Sequence, residues 1–171
     1  MSDRNDVSKD SQLSFSFAAL YQFETALALK HFDVSKRAKF VGSSAGALTA
    51  AAIILDVDLI RLKDTPFQLR KYKTDIADEM LGPARFLSNQ SKLSEQLEVV
   101  VTVLPRCHTL RYSKYRNYEH FKDVMLASCT ASPIAGFPFL LDGQICADGG
   151  LSDFQPLIDE NTVSISPFYF H

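Results

Sequence analysis

The pentapeptide Gly42-Ser43-Ser44-Ala45-Gly46 constrains the fold more than any other segment of the chain. It lies between a short apolar run, Phe40-Val41, and a longer run of small and apolar residues, 47–55. A serine with glycines two positions before and after it, between a strand and a helix, is typical of a nucleophile elbow. The glycines are needed because side chains there would force the strand and the helix apart. The pattern predicts a strand–turn–helix unit with Ser44 as a candidate nucleophile.

A second motif places a carboxylate at the end of a predicted strand. Asp148-Gly149-Gly150 follows the apolar stretch 144–147, and the diglycine lets the backbone turn away at once. A carboxylate in this place can take the proton of a serine nucleophile and pass it to a leaving alcohol. Three alternatives stay open: Asp148 as a simple turn residue, Asp153 as the acid, and Ser44 as the N-cap of its helix.

The two motifs together resemble the patatin-like phospholipase family, whose members are lipid acyl hydrolases with a serine–aspartate dyad and no histidine. The resemblance runs from about Leu13 to Phe168 and is strongest in 13–16, 41–48, 148–153 and 161–168. Within the family the chain is most similar to the animal-type branch that includes triglyceride lipases of lipid droplets.

The resemblance implies a fold, a site and a function. The fold is an α/β three-layer sandwich with a central mixed sheet, a trimmed form of the patatin-like fold. Ser44 is the implied nucleophile and Asp148 the implied base. The supporting glycines are Gly42 and Gly46 of the elbow and Gly149 and Gly150 of the second motif. The implied activity is hydrolysis of glycerolipid or phospholipid esters without metal or organic cofactor.

One feature of the family pattern is missing. Family members carry a glycine-rich loop after the first strand, and its N–H groups form the oxyanion hole. In this chain the first glycine is Gly42, so no such loop precedes the elbow. The remaining candidate oxyanion donors are the backbone N–H groups of Phe17, Ala18 and Ala45. A second hypothesis is therefore a catalytically impaired relative that acts as a lipid-binding or interaction module.

Other site chemistries fit the sequence less well. A Ser-His-Asp hydrolase of the α/β type needs a histidine after the acid, and only the terminal His171 follows Asp148. The other histidines have the wrong order and are expected outside the site; they are His31, His108 and His120. Cys107 and His108 lack a partner pair with zinc-ligand spacing.

Charge, hydropathy and cysteine content predict the kind of partner and the cellular location of the protein. A net charge of −2 does not favour nucleic-acid binding. The polar N-terminus does not resemble a secretory signal, and the longest mostly apolar run, 45–55, is well short of the ~20 residues that span a bilayer. Three widely spaced cysteines predict free thiols, hence a cytoplasmic protein, peripheral at most to a membrane or lipid droplet. The basic residues of 61–73 favour a solvated helix face, with contact to lipid head groups or a membrane surface as the alternative.

The element pattern predicts one domain, 11–171, after a disordered tail, 1–10. Strands are predicted at 13–17, 38–41, 137–141, 144–147 and 163–165, and helices at 18–32, 45–55 and 118–128. The segment 56–79 is predicted to be helical in two pieces, and 87–104 to be a helix whose β-branched end suits a strand equally well. Asp142-Gly143 predicts a type I′ hairpin turn. Only a dozen residues, 106–117, occupy the place of two longer strands in the family, which predicts a shortened sheet.

Overall fold

The computed structural model describes residues 12–18, 23–31, 36–57, 82–130 and 138–166. The strands are β1 (Ser14–Ala18), β2 (Lys39–Ser43), β3 (Leu97–Val103), β4 (His108–Tyr112), β5 (Phe139–Leu141), β6 (Gln144–Asp148) and β7 (Val163–Ile165). The helices are α1 (Phe23–His31), α2 (Ala45–Ile54), α3 (Pro83–Gln96) and α4 (Tyr118–Ser128), with a short 3₁₀ helix, η1 (Gly149–Leu151).

The seven strands form one mixed sheet in the order β5-β6-β3-β2-β1-β7, with β4 also paired to β3. The contacts β7–β1, β1–β2 and β2–β3 are parallel, whereas β4 and β6 run antiparallel to β3. This arrangement confirms the predicted α/β class with a central mixed sheet flanked by helices.

Strand β3 brings together two strands that are distant in sequence. Its first half pairs with β2, up to Ser43 opposite Val100, and its second half pairs with β6, from Asp148 opposite Val101. Because β4 occupies the other edge along 99–103, β2 and β6 share one edge of β3. Their C-terminal ends therefore meet head-on, and the residues after Ser43 face Asp148.

The two faces of the sheet differ in chemistry. On one face lies the apolar core, where the rings of Phe15 and Phe17 stack on Phe40 and the small residues of α2 pack closely. Helix α2 is buried almost all round because its sequence is nearly all Ala, Ile and Leu. The other face carries hydroxyl side chains, and segment 149–162 covers it by bonding to Ser14, Ser16, Ser43 and Thr102. The alternation of Phe and Ser in β1 follows from these two environments.

The ambiguous segment 87–104 contains both predicted alternatives. Pro83 occupies the first turn of α3, where its missing N–H costs nothing, and the β-branched run 99–103 lies in β3. The predicted hairpin turn is confirmed, since Asp142 and Gly143 have φ values of 51° and 76°. The shortened region keeps one strand, β4. Most of 56–79 and the tail 1–10 lie outside the described residues.

Candidate active site

Ser44 occupies a sharp turn between β2 and α2. Its φ of 55° and ψ of −133° belong to a region that non-glycine residues rarely adopt. Such strain persists only where the surrounding structure imposes it, and it is common at functional sites. Gly42 is needed for the turn, because a Cβ there would lie 2.6 Å from the nitrogen of Ala47. The strand–turn–helix geometry is the one expected for a nucleophile elbow. Ser44 occupies the N-cap position of α2, but its hydroxyl makes no cap hydrogen bond.

The predicted partners Ser44 and Asp148 lie together although 104 residues separate them in sequence. The hydroxyl of Ser44 donates a hydrogen bond to Oδ2 of Asp148 at 2.7 Å. The other carboxylate oxygen, Oδ1, accepts the N–H of Gly150 at 2.9 Å. One oxygen thus faces the serine while the other is held by the turn that follows.

The main chain of Asp148 is fixed on both sides. Its N–H donates to the carbonyl oxygen of Thr130 at 2.9 Å, and its carbonyl oxygen accepts the hydroxyl of Thr102 at 2.7 Å. Asp148 as a whole is only 6% exposed, so its carboxylate is held in a site with little water. Gly149 allows the chain to pass over β3, because a Cβ would lie 2.1 Å from the carbonyl oxygen of Val100.

A further hydroxyl contacts the elbow from helix α4. Oγ of Ser128 accepts the backbone N–H of Ser44 at 3.0 Å and donates to the carbonyl oxygen of Val100 at 2.6 Å. The sequence motifs did not identify Ser128, Thr102 or Thr130. For Ser128 and Thr102 the available signal is a hydroxyl in an otherwise apolar run, which is weak because such residues also occur at helix ends and in ordinary strands. Thr130 contacts Asp148 through its backbone carbonyl oxygen, which leaves no signal in the sequence.

The three candidate oxyanion donors differ in position. Ala45 opens α2, so its N–H has no carbonyl partner within the helix and lies directly after Ser44. Phe17 is less suitable, because β2 and β7 occupy both edges of β1 at this residue and its ring is fully buried against Phe40. Ala18 is the last residue of β1, paired with Ser43.

No histidine is bonded to the Ser44 hydroxyl among the described residues. The ring of His120 accepts the N–H of Arg116 and contacts the Asp142 carboxylate at 3.2 Å. His108 is exposed at the start of β4, and His31 is exposed at the end of α1. His171, the only one that follows Asp148, lies outside the described residues. The three described histidines therefore give no support to a serine–histidine arrangement at the elbow.

The other carboxylates near these motifs have structural partners. Asp153 pairs with Arg111 at 3.0 Å, whereas the Ser44 hydroxyl donates to Asp148. Asp142, in the hairpin turn, accepts hydrogen bonds from Arg116 and from the hydroxyl of Tyr112. The hydrogen bond from Arg116 is the main reason that the pKa of Asp142 lies below its usual value, with further lowering by His120.

Two comparisons of the sequence with known proteins were made to find relatives. A scan against protein-family models and a search of curated proteins each found no match to the sequence.

Within the described residues, no helix is long and apolar enough to cross a membrane. In the same part of the chain, no three metal-ligating side chains of His, Cys, Asp or Glu come together. No disulfide joins the three cysteines, all of which are described: Cys107 is exposed, Cys129 partly buried and Cys146 buried. The basic residues of 61–73 fall outside the described ranges.

Proposed function

We propose that this protein is a serine esterase, a lipid acyl hydrolase that acts on glycerolipid esters through Ser44 and Asp148. The observation that carries the proposal is the 2.7 Å hydrogen bond from the Ser44 hydroxyl to the Asp148 carboxylate, made at a strained elbow. A serine with an oriented base within hydrogen-bond reach is the arrangement that covalent catalysis requires. The lipid substrate class comes from the resemblance of the two motifs to patatin-like phospholipases, and with it contact with a membrane or lipid-droplet surface.

The proposed reaction needs only this pair and water. Oγ of Ser44 attacks the ester carbonyl carbon while its proton moves to Oδ2 of Asp148. The tetrahedral intermediate collapses, the carbon–oxygen bond to the alcohol breaks, and Asp148 returns the proton to the leaving oxygen. Water then attacks the acyl carbon while Asp148 takes a proton from it. The bond from that carbon to Oγ breaks and Asp148 returns the proton to Oγ, which releases the fatty acid and restores Ser44. The N–H of Ala45 and the start of α2 supply positive potential beside the developing oxyanion.

Hydrolysis of a nitrophenyl ester by matched variants tests the proposal. Ser44→Ala is expected to reduce the rate to that of buffer, and Asp148→Asn to reduce kcat on the order of 100-fold or more, since a general base contributes about that much. Asp153→Asn is the matched carboxylate control, because Asp153 is bonded to Arg111 and is expected to leave kcat unchanged. Equal rates for the wild type and Ser44→Ala would refute the proposal.

A second candidate function is a lipid-binding or interaction module with impaired catalysis. It is favoured by the absence of any glycine before Gly42, together with the pairing of β1 on both edges up to Phe17. An oxyanion hole that lacks one donor loses about 2.7–4 kcal/mol of transition-state stabilisation. On this hypothesis the protein binds fatty acid but hydrolyses only activated short-chain esters, and slowly.

A loop insertion distinguishes the esterase hypothesis from the lipid-binding module hypothesis. Strand β1 continues through Ala18, so the insertion belongs between Ala18 and Ala19 rather than directly after Ser16. If the module hypothesis holds, inserting Gly-Ser-Gly there should raise the esterase rate by at least about tenfold, as a recovered donor would. The gain should vanish when Ser44→Ala is added. High activity of the unmodified chain on glycerolipids would instead favour the esterase.

A further inference from the structure

We infer that Ser128 is a positioning residue that holds the nucleophile elbow in its strained conformation. The inference rests on the proposed function, because a positioned nucleophile matters only if Ser44 reacts. Ser128 is the last residue of α4 and is fully buried, at 0% exposure. It lies 84 residues from Ser44 in sequence, and neither of the motifs that define the candidate site contains it.

The hydroxyl of Ser128 lies between a donor and an acceptor of adjacent strands. The regular pairing of β2 with β3 ends at Ser43 opposite Val100. One residue further on, the N–H of Ser44 donates to Oγ of Ser128 at 3.0 Å, and that hydroxyl donates to the carbonyl oxygen of Val100 at 2.6 Å. A side chain thus connects the two strands at the point where their direct pairing stops.

The Ser128 hydroxyl permits the turn at Ser44 and also holds its backbone conformation. Because the hydroxyl spans the gap, the chain at the end of β2 can turn away from β3 and enter α2 without burying an unpaired N–H at Ser44. The bond also orients the peptide group that precedes Ser44, which restricts the φ angle of 55° at the nucleophile. Without the bond, the strained conformation loses one of the contacts that impose it.

The orientation matters for two groups of the candidate site. A change in the Ser44 backbone would move its hydroxyl relative to Oδ2 of Asp148, now 2.7 Å away. It would also redirect the N–H of Ala45, the neighbouring oxyanion candidate. Ser128 therefore acts on the reaction through Ser44, and its loss should lower kcat while substrate binding, expressed in KM, changes little.

Amide hydrogen exchange and ester kinetics of Ser128→Ala test the inference. In the wild type, the Ser44 amide should be protected, whereas in Ser128→Ala its exchange should accelerate by about tenfold, a factor consistent with one typical hydrogen bond. The same variant should lose kcat by about tenfold or more with KM within about twofold, since a displacement of ~1 Å can cost 100-fold.

Ser14→Ala is the matched control. Ser14 is also buried, at 2% exposure, and its hydroxyl lies 3.0 Å from that of Thr162. It pairs with Lys39 at the start of β2, so it lies at the opposite end of this strand pair from the elbow. Ser14→Ala should keep the kcat and the Ser44 amide protection of the wild type, even if both variants lose similar stability.

The outcomes separate this inference from the proposed function. An unprotected Ser44 amide in the wild type, or an unchanged kcat in Ser128→Ala, would overturn the role of Ser128. Equal loss of kcat in both serine variants would also overturn it, because general loosening would then explain the effect. If the wild type hydrolyses no ester, the proposed function fails, while the exchange comparison still decides whether Ser128 holds the elbow.

Discussion

Replacing Gly149 with alanine is expected to damage both the fold and the candidate site. A Cβ at this position would lie 2.1 Å from the carbonyl oxygen and 2.7 Å from the carbonyl carbon of Val100. Ordinary contact begins near 3.4 Å, so the difference from 2.1 Å requires the two backbones to separate by about 1.3 Å. Both groups are backbone, and no side-chain rotation can relieve the clash. Overpacking of this kind costs about 1–3 kcal/mol, occasionally more.

The same displacement reaches the candidate base, because Asp148 precedes Gly149 directly. A misplacement of about 1 Å can reduce catalysis on the order of 100-fold. Urea unfolding and nitrophenyl ester kinetics of Gly149→Ala measure the two effects. Gly143→Ala is the control: no atom lies within 4 Å of its Cβ position, and its φ of 76° is strained for alanine. That control should lose about 1–2 kcal/mol of stability and no kcat. Wild-type stability and kcat in Gly149→Ala would refute this reasoning.

Two further predictions concern the hairpin and the core. The pKa of Asp142 is lowered mainly by Arg116, so its stabilisation is complete above the unfolded value of about 3.9 and is lost as the pH falls through the folded pKa. The unfolding free energy of Asp142→Asn, measured in urea across a pH series, should therefore fall less steeply in acid than that of the wild type; parallel curves would contradict this. Tyr115 is buried with its hydroxyl 3.1 Å from the carbonyl oxygens of Leu97 and Tyr112, and Tyr115→Phe should lose about 1–2 kcal/mol in urea unfolding with kcat intact. A lower kcat in Tyr115→Phe would contradict this prediction, because it would show that the hydroxyl affects the candidate active site as well as the core.

Local steric requirements made part of the structure predictable from the sequence. The elbow depends on Gly42, whose Cβ position lies against the backbone of α2, and the hairpin depends on residues that tolerate positive φ. These demands act over a few residues and therefore leave a readable pattern. The helix over 118–128 and the strand over 163–165 have the predicted bounds, because their apolar periodicity and short β-branched run are also local signals.

Long-range pairing was not predictable in the same way. Nothing local indicates that β2 and β6 end on one edge of β3, since that depends on registers between segments far apart in sequence. The hydroxyl of Ser128 and the polar contacts of segment 149–162 depend on the same arrangement. The composition of the run 99–103 fits a helix end or a strand equally well. Its pairing with β2, β4 and β6 makes it a strand. The dyad was predicted only through the resemblance of its motifs, while its contact distance comes from the fold.

Labelling with a fluorophosphonate, followed by mass spectrometry of the modified peptide, shows whether Ser44 is an activated nucleophile. An activated serine forms a covalent phosphonyl adduct, whereas an ordinary hydroxyl does not react. We expect a single adduct on Ser44, which should form on the order of 100-fold more slowly in Asp148→Asn because the general base is lost. The Asp153→Asn control should react like the wild type. No adduct on Ser44, or equal labelling rates in the wild type and Asp148→Asn, would contradict a nucleophile activated by this aspartate.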